Sequence, residues 1–371
     1  MNIIVSGGGT GGHIYPALTI IRAIQQNEPS ARILYVGTPH GLEADIVPRE
    51  GIDFIAVDLA GFERKFSLEN ILRAGRALCA LARASGIVRR FQPDVAIGTG
   101  GYAAGPILLA ASLAGVPTLV QEQNVYAGVT NRILARFATA IAVGMEDARA
   151  VFPQNKTYVT GNPIRPEVLT ASRGEGAKAF GFDPLKKTVL VSGGSRGARS
   201  INRAMVAVIA RAAEQTDVQY LHVTGAEEHG DTLARIRNAG VRLEEHPNIR
   251  VLPYLYNMPQ AMAMADVAVF RAGATGLAEL AARGVPAILI PYPYAAENHQ
   301  EKNARAMEAA GAAEVILNRD LDGAVLTEAL RTLLSDDVRR AGMAAAMKRL
   351  GKPKAAEEIA ALALRISKGE G

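Results

Sequence analysis

The chain has 371 residues, 49% of them hydrophobic and 5% aromatic, with no tryptophan. That is enough apolar material for two domains with separate cores, and a supply dominated by Ala, Val, Leu and Ile suits parallel sheets under helices and disfavours a β-sandwich. The one cysteine, Cys79, excludes an internal disulfide, while the net charge of +5 favours anionic partners; without a dense basic stripe or an aromatic-studded module, nucleic acid is disfavoured among them.

The first residues enter a strand-like run at once, with neither a basic leader nor a cleavable apolar segment, so a cytoplasmic location is expected. Apolar stretches such as 107–113 fall well short of the roughly 20 residues of a membrane span, so any membrane contact is expected to be peripheral. Short apolar runs at 3–5, 33–36, 95–97 and 117–120 alternate with helical patterns, and a second series follows at 188–191, 220–223, 267–270 and 287–290. This is the rhythm of βαβ units and predicts two parallel sheets. Both series open alike, with Ile3-Ile4-Val5-Ser6-Gly7-Gly8 and Val189-Leu190-Val191-Ser192-Gly193-Gly194. Between them, Gly161-Asn162-Pro163-Ile164-Arg165-Pro166 has the prolines of a domain crossing. The expected architecture is α/β, with two Rossmann-like domains over 1–161 and 162–352 facing each other across a cleft. A final helix within 353–371 is expected to pack back on the first domain. Ligands of such folds sit at the carboxyl ends of the strands.

Glycine-rich turns stand at those positions. Gly7, Gly9 and Gly12 fit G-x-G-x-x-G directly after a strand, but the second strand ends Tyr35-Val36-Gly37-Thr38 with no acid to hold a ribose, which disfavours a nicotinamide cofactor. No loop ends in the G-K-[ST] of an ATPase phosphate cradle. Three further loops follow strands: Gly98-Thr99-Gly100-Gly101-Tyr102, Gly193-Gly194-Ser195-Arg196-Gly197-Ala198 and Arg271-Ala272-Gly273-Ala274. Any one of them is either a plain tight turn or a place where backbone N–H groups at a helix N-terminus meet a diphosphate; four together favour the second reading. Glu279 lies about one turn into the helical pattern that begins at Thr275, where a carboxylate could accept from two ribose hydroxyls.

Taken together, Gly8-Gly9-Thr10-Gly11-Gly12-His13, Gly100-Gly101-Tyr102, Glu122-Gln123-Asn124, Gly161-Asn162-Pro163, Gly193-Gly194-Ser195, Arg271-Ala272-Gly273-Ala274 and His299-Gln300 resemble one family over nearly the whole chain. It is the MurG family, the GT-B transferases that move N-acetylglucosamine from UDP-N-acetylglucosamine onto undecaprenyl-pyrophosphoryl-muramoyl-pentapeptide in peptidoglycan synthesis. The resemblance implies that Thr10, Gly11, Gly12, Asn124, Arg165, Ser195 and Gln300 contact the sugar nucleotide. It also implies that Ala274, Thr275, Gly276, Leu277, Ala278 and Glu279 line its diphosphate and ribose, and that the backbone near Leu255 meets the uracil. Gln121 stands where the family often has histidine, and Ala272 where some members have serine. The implied partners are the two substrates, an anionic membrane surface on the cytoplasmic face of the inner membrane, and other cell-wall enzymes.

The resemblance implies an α-linked donor and a β-1,4-linked product, hence one inverting displacement, for which a single base suffices. His13 is the candidate, being a side chain whose ordinary pKa suits neutral pH. The alternatives at His13 are acceptor positioning or loop packing, and Glu122 is a second candidate base or else only an orienter of Asn124. No metal or other cofactor is expected: the D-x-D match Asp320-Leu321-Asp322 precedes a helix start, where aspartates cap, and no His/Cys cluster has zinc spacing. Between Phe62 and Phe91, Phe66, Ile71, Leu72, Leu78, Leu81 and Ile87 are interleaved with Arg64, Lys65, Arg73, Arg76, Arg83, Arg89 and Arg90. They form either a membrane-facing patch or the core side and solvated side of one amphipathic helix. Rival readings are a UDP-N-acetylglucosamine 2-epimerase, a glycolipid synthase, a non-catalytic sugar-nucleotide sensor and, last, an oxidoreductase.

Overall fold

A computed structural model describes residues 1–57 and 69–370, and side chains outside 69–77. The chain forms two compact units, one of Met1–Ile164 with Lys354–Gly371, the other of Arg165–Pro353.

The first unit is built on a seven-stranded sheet of order β3-β2-β1-β4-β5-β6-β7. Its strands are β1 (Asn2–Ser6), β2 (Arg32–Gly37), β3 (Asp53–Ala56), β4 (Val95–Gly98), β5 (Thr118–Glu122), β6 (Ala140–Val143) and β7 (Thr157–Val159). Neighbouring strands pair in parallel throughout the sheet. Ile3, Ile4 and Val5 are fully buried, as a strand covered on both faces requires. The connecting helices are α1 (Gly11–Asn27), α2 (Glu43–Arg49), α3 (Glu69–Phe91), α4 (Ala104–Leu113) and α5 (Val129–Leu134). Ile14, Ala17, Ile20, Ile21 and Ile24 recur at helical spacing along α1 and bury it on one face of the sheet.

The opposite face is covered by Ala84 and Val88 of α3, Ala104, Ile107, Leu108 and Ala111 of α4 and Leu134 of α5. The last helix, labelled α15 (Ala355–Ser367) once those of the second unit are counted, joins this unit: Ile359, Ala363 and Ile366 pack into the same cluster as α1.

The second unit has a six-stranded parallel sheet of order β10-β9-β8-β11-β12-β13, with β8 (Lys187–Ser192), β9 (Val218–Val223), β10 (Ile249–Leu252), β11 (Val267–Phe270), β12 (Ala287–Leu289) and β13 (Ala313–Val315). Its helices are α6 (Pro166–Thr170), α7 (Arg173–Phe180), α8 (Arg199–Ala212), α9 (His229–Asn238), α10 (Met258–Met264), α11 (Ala274–Arg283), α12 (His299–Ala309), α13 (Gly323–Ser335) and α14 (Asp337–Leu350). Its core gathers Val189 and Val191 of β8, Ile201, Met205 and Ile209 of α8, and Leu326, Leu330 and Leu333 of α13. In both sheets the first strand stands inside the sheet and feeds a glycine turn into the N-terminus of a helix.

Candidate active site

In the first unit the loop after β1 turns through Gly9 (φ +84°) into α1, whose first residues are Gly11, Gly12 and His13. Thr10 is the exposed N-cap residue, in extended conformation, and makes no side-chain cap. The turn after β4 braces this loop. Thr99, after β4, donates its hydroxyl to His13 O at 2.8 Å, and the backbone at Gly100 (φ +104°) comes so near that an added Cβ would stand 2.9 Å from His13 Nδ1.

His13 Nδ1 lies 3.0 Å from Thr99 O and 3.0 Å from Gln123 Oε1. A backbone carbonyl can only accept, so the ring carries its proton on Nδ1 and the basic lone pair on Nε2. This fixes the tautomer a general base needs, and the carbonyl is spatially adjacent although 86 residues away in sequence.

Glu122 is 1% exposed at the end of β5. Its Oε1 accepts from Asn124 N and Nδ2, and its Oε2 from Gly128 N and Asn131 Nδ2. Four donors match the four lone-pair sites of a carboxylate. Of the two readings its sequence position leaves open, these bonds carry the orienting one: Glu122 orders the loop that presents Asn124 and holds α5 to the end of β5. Gln121, at the position where the family often has histidine, is fully buried and donates to Asn162 Oδ1, while Asn162 Nδ2 donates to Gln123 O. It supports Gln123 from within the unit. Gln123 reaches His13 across 110 residues of sequence, a pairing that the residue types of its own motif do not signal.

In the second unit, Ser195 is exposed at the tip of the turn between β8 and α8. Gly194 (φ +89°) and Gly197 (φ +77°) shape that turn, and Gly197 packs against Thr224 O with no room for a side chain. After β11, Gly273 is the N-cap of α11. The Thr275 hydroxyl, in the first turn of that helix, is buried and meets no hydrogen-bond partner. A helix N-terminus together with an unused hydroxyl donor is a place prepared for an anion.

One turn on, Glu279 accepts from Arg165 Nε at 2.8 Å and Nη2 at 3.1 Å. Ala274, Leu277 and Glu279 are buried; Leu277 is 2% exposed, so its side chain serves packing and only its backbone can face a ligand. Gly276 and Ala278 are half-buried. Leu255 is 8% exposed in the turn after β10, and Gln300, in the first turn of α12, accepts from Tyr292 N at 2.9 Å. Arg271 is a structural cation: it donates to Ile290 O, Pro291 O, Asn318 Oδ1 and Ser200 Oγ, and burial lowers its pKa to about 10.

Within each unit the named residues gather in loops at the carboxyl ends of strands, with Thr10 to His13, Glu122 and Asn124 in one and Arg165, Ser195, Leu255, the α11 turn and Gln300 in the other. Asp322 caps α13 by accepting from Val325 N at 2.8 Å. Among the described residues, no cluster of three or more His, Cys, Asp or Glu could hold a metal ion, and no helix is long and apolar enough to cross a membrane. Of the α3 patch, Phe62, Arg64, Lys65 and Phe66 and the side chains of Ile71, Leu72, Arg73 and Arg76 lie outside the described residues. Leu81 and Ile87 pack on the core, whereas Leu78 is 68% exposed and Arg83, Arg89 and Arg90 are exposed. For Leu81 and Ile87 the amphipathic-helix reading is therefore correct.

Two parallel sheets, each feeding a glycine turn into a helix N-terminus, are the architecture of the GT-B fold. The chain matches the glycosyltransferase family 28 N-terminal domain over residues 3–143 and the C-terminal domain of that family over 188–359. It is 46% identical to a UDP-N-acetylglucosamine–N-acetylmuramyl-(pentapeptide) pyrophosphoryl-undecaprenol N-acetylglucosamine transferase of Desulforamulus reducens, over 97% of both chains. The transferase of the same name from Desulfitobacterium hafniense is 47% identical over 98% of this chain and 99% of its own. The chain belongs to this family of N-acetylglucosamine transferases.

The crystal structure of Acinetobacter baumannii MurG superposes with a TM-score of 0.78 at 27% identity, covering 98% of this chain and 99% of that one. A UDP-GlcNAc 2-epimerase from Neisseria meningitidis, at 15% identity and a TM-score of 0.67 over 98% of this chain and 100% of its own, shares the fold alone.

Proposed function

We propose that the chain transfers N-acetylglucosamine from UDP-N-acetylglucosamine to the 4-hydroxyl of undecaprenyl-pyrophosphoryl-muramoyl-pentapeptide, with inversion at the sugar carbon. The observation that carries this reading is the Thr275 hydroxyl, buried and without a partner at the N-terminus of α11, one turn from Glu279 and Arg165. The diphosphate takes the hydroxyl and the first-turn N–H groups, and the ribose takes Glu279. As the bond from the sugar C1 to phosphate breaks, the negative charge gained by UDP is met by the helix dipole and the Arg165 guanidinium. The acceptor oxygen forms the new bond to C1, and its proton passes to Nε2 of His13, which Thr99 O holds in the receiving tautomer. A dipole and a guanidinium cover the charge a metal would otherwise neutralise, so no metal is required.

The lipid-linked acceptor is met at a membrane surface. Leu78, Leu113, Val129, Ile133 and Phe137 are exposed on or beside α3, α4 and α5, which pack side by side, and Arg83 and Arg136 are exposed among them. Flotation with vesicles of anionic phospholipid, and not with neutral ones, checks this contact; equal flotation with both removes the electrostatic part.

The deciding experiment measures UDP release from UDP-N-acetylglucosamine with and without the lipid-linked acceptor, in EDTA. Acceptor-dependent release is expected. Release without acceptor points to an epimerase or hydrolase, release that needs an added divalent ion overturns the metal-free mechanism, and tight binding with no release leaves a sensor.

A further inference from the structure

Glu43 is a charged residue with no assigned part in the reaction, yet it is 0% exposed in the first turn of α2, beneath the glycine loop that follows β1. Its Oε2 accepts from Gly9 N at 3.1 Å. Its Oε1 accepts from Thr38 N at 3.0 Å and Thr38 Oγ1 at 2.7 Å. Burial alone would raise the pKa of this carboxyl, but the hydrogen bonds from Thr38, the backbone and Gly9 outweigh it and hold the group below the usual carboxylate range. The fit on both sides is close: a Cβ at Gly8 or Gly41 would overlap the carboxylate, and one at Gly37 would stand 2.6 Å from Glu43 Cγ. Tyr35, next to it, donates its hydroxyl to Gly7 O at 2.6 Å. The loop of residues 7–9 is thus held by Tyr35 of β2 and Glu43 of α2, and four residues after Gly9 it delivers His13.

In a dinucleotide-binding Rossmann fold the acid near the end of the second strand faces the ligand and holds a ribose. Here the acid comes five residues after Thr38 Oγ1's own residue, on a helix, and turns under the loop instead. We propose that Glu43 is a positioning residue of the transfer reaction, its buried carboxylate fixing the Gly9 amide and with it the entry into α1 that sets the place of His13. This rests on His13 acting as the base.

An isosteric Glu43→Gln tests it, because three donors face two oxygens: whichever way the amide is turned, its NH2 opposes the N–H of Gly9 or of Thr38. The expected result is a fall in kcat of about 10- to 100-fold, the range of a small misplacement of a reacting group. The KM for UDP-N-acetylglucosamine, whose diphosphate and ribose are assigned to the second unit, changes by a smaller factor than kcat. Tyr35→Phe, which removes the second tie and leaves the charge, lowers kcat by a smaller factor in the same direction and decides the matter should Glu43→Gln fail to fold. Thr38→Val removes one donor to the same carboxylate without touching the loop, and retains kcat within about twofold.

A Glu43→Gln protein with wild-type kcat overturns the proposal, as does a loss of kcat that Thr38→Val shares in proportion to its loss of melting temperature. The Gly9 amide gives a readout independent of turnover. Bound to a carboxylate it resonates downfield and exchanges slowly, and Glu43→Gln, whose one amide oxygen turns to the two donors of Thr38, weakens both. An enzyme without acceptor-dependent release but with that signature would sink the functional reading and leave Glu43 as the holder of the loop; absence of the signature in the wild type sinks the tie itself.

Discussion

Arg165 and Glu279 form a bidentate pair, Nε to Oε1 at 2.8 Å and Nη2 to Oε2 at 3.1 Å, joining the residue before α6 to the second turn of α11. The glutamate side chain is 5% exposed and the arginine 32%. The carboxylate is therefore committed before a ribose arrives, and the bidentate guanidinium fixes its orientation. Removing Arg165 strands a buried charge. Arg165→Ala is expected to cost about 1–3 kcal/mol, below the full value of a buried pair because water reaches the arginine. Glu279→Gln, which keeps one acceptor for Nε, costs less. Both raise the KM for the sugar nucleotide. Thermal unfolding of the two variants checks the order, and an Arg165→Ala protein that melts with wild type would show that the pair holds nothing.

His13→Asn separates the two things the imidazole does. The asparagine Nδ2 can still donate to Thr99 O, so the head of α1 stays braced, but the basic nitrogen is gone. A fall in kcat of about 10²- to 10⁴-fold is expected, with sugar-nucleotide affinity unchanged. Steady-state rates with both substrates varied measure this. A drop confined to KM for the acceptor would make His13 a positioning group.

Glycines at the two helix entrances differ in what they tolerate. Gly101 has φ +78°, and a Cβ there would run into the carbonyl of Gly8, while Gly273 has φ −72° and nothing within 4 Å of an added Cβ. Gly101→Ala is expected to destabilise by about 2–4 kcal/mol, from left-handed backbone strain plus displacement of the first glycine loop. Gly273→Ala is expected to leave stability within about 1 kcal/mol of wild type. Urea unfolding of both distinguishes a steric requirement from a general preference for glycine; equal losses would contradict the first.

Much of this was legible in the sequence, for identifiable reasons. Period and punctuation revealed β1, β2, β4, β5, β8, β9, β11 and β12, because parallel strands buried on both faces are written as unbroken apolar runs such as Ile3-Ile4-Val5, whereas the short β3, β6, β7, β10 and β13 were not legible that way. The loop glycines were legible for the same local reason. What stayed hidden was pairing at a distance. Arg165 and Glu279 looked like separate ligand contacts because 114 residues lie between them. Glu43 carries no local signal, because it stands on a helix and not at a strand end, and its partner Gly9 is 34 residues back. The saturation of Glu122 by Asn124, Gly128 and Asn131 depends on how the following loop folds back, and residue types alone do not write that down.

The same kind of distant pairing makes the second unit sensitive to acid. His222 of β9 is 0% exposed, and its Nε2 lies 3.0 Å from Asn202 Oδ1. Asn202 Nδ2 donates to Thr224 O at 2.9 Å, which fixes the amide so that its oxygen faces the ring. The imidazole proton is therefore on Nε2, and the buried Nδ1 finds no partner. Burial, with His229 nearby, lowers the pKa to about 3. An unfolded chain has an ordinary histidine near 6.5, so between those values the unfolded state binds a proton that the folded state refuses. Stability is complete above pH 6.5 and falls as pH drops toward 3, by about 1.4 kcal/mol per pH unit from this residue. His222→Gln retains a donor to Asn202 Oδ1 and cannot titrate. Urea unfolding free energies for wild type and His222→Gln from pH 7.5 to 4 should then differ by an amount that shifts in the variant's favour at that slope below about pH 6.5. Parallel curves would mean that His222 takes up its proton without unfolding the sheet around it.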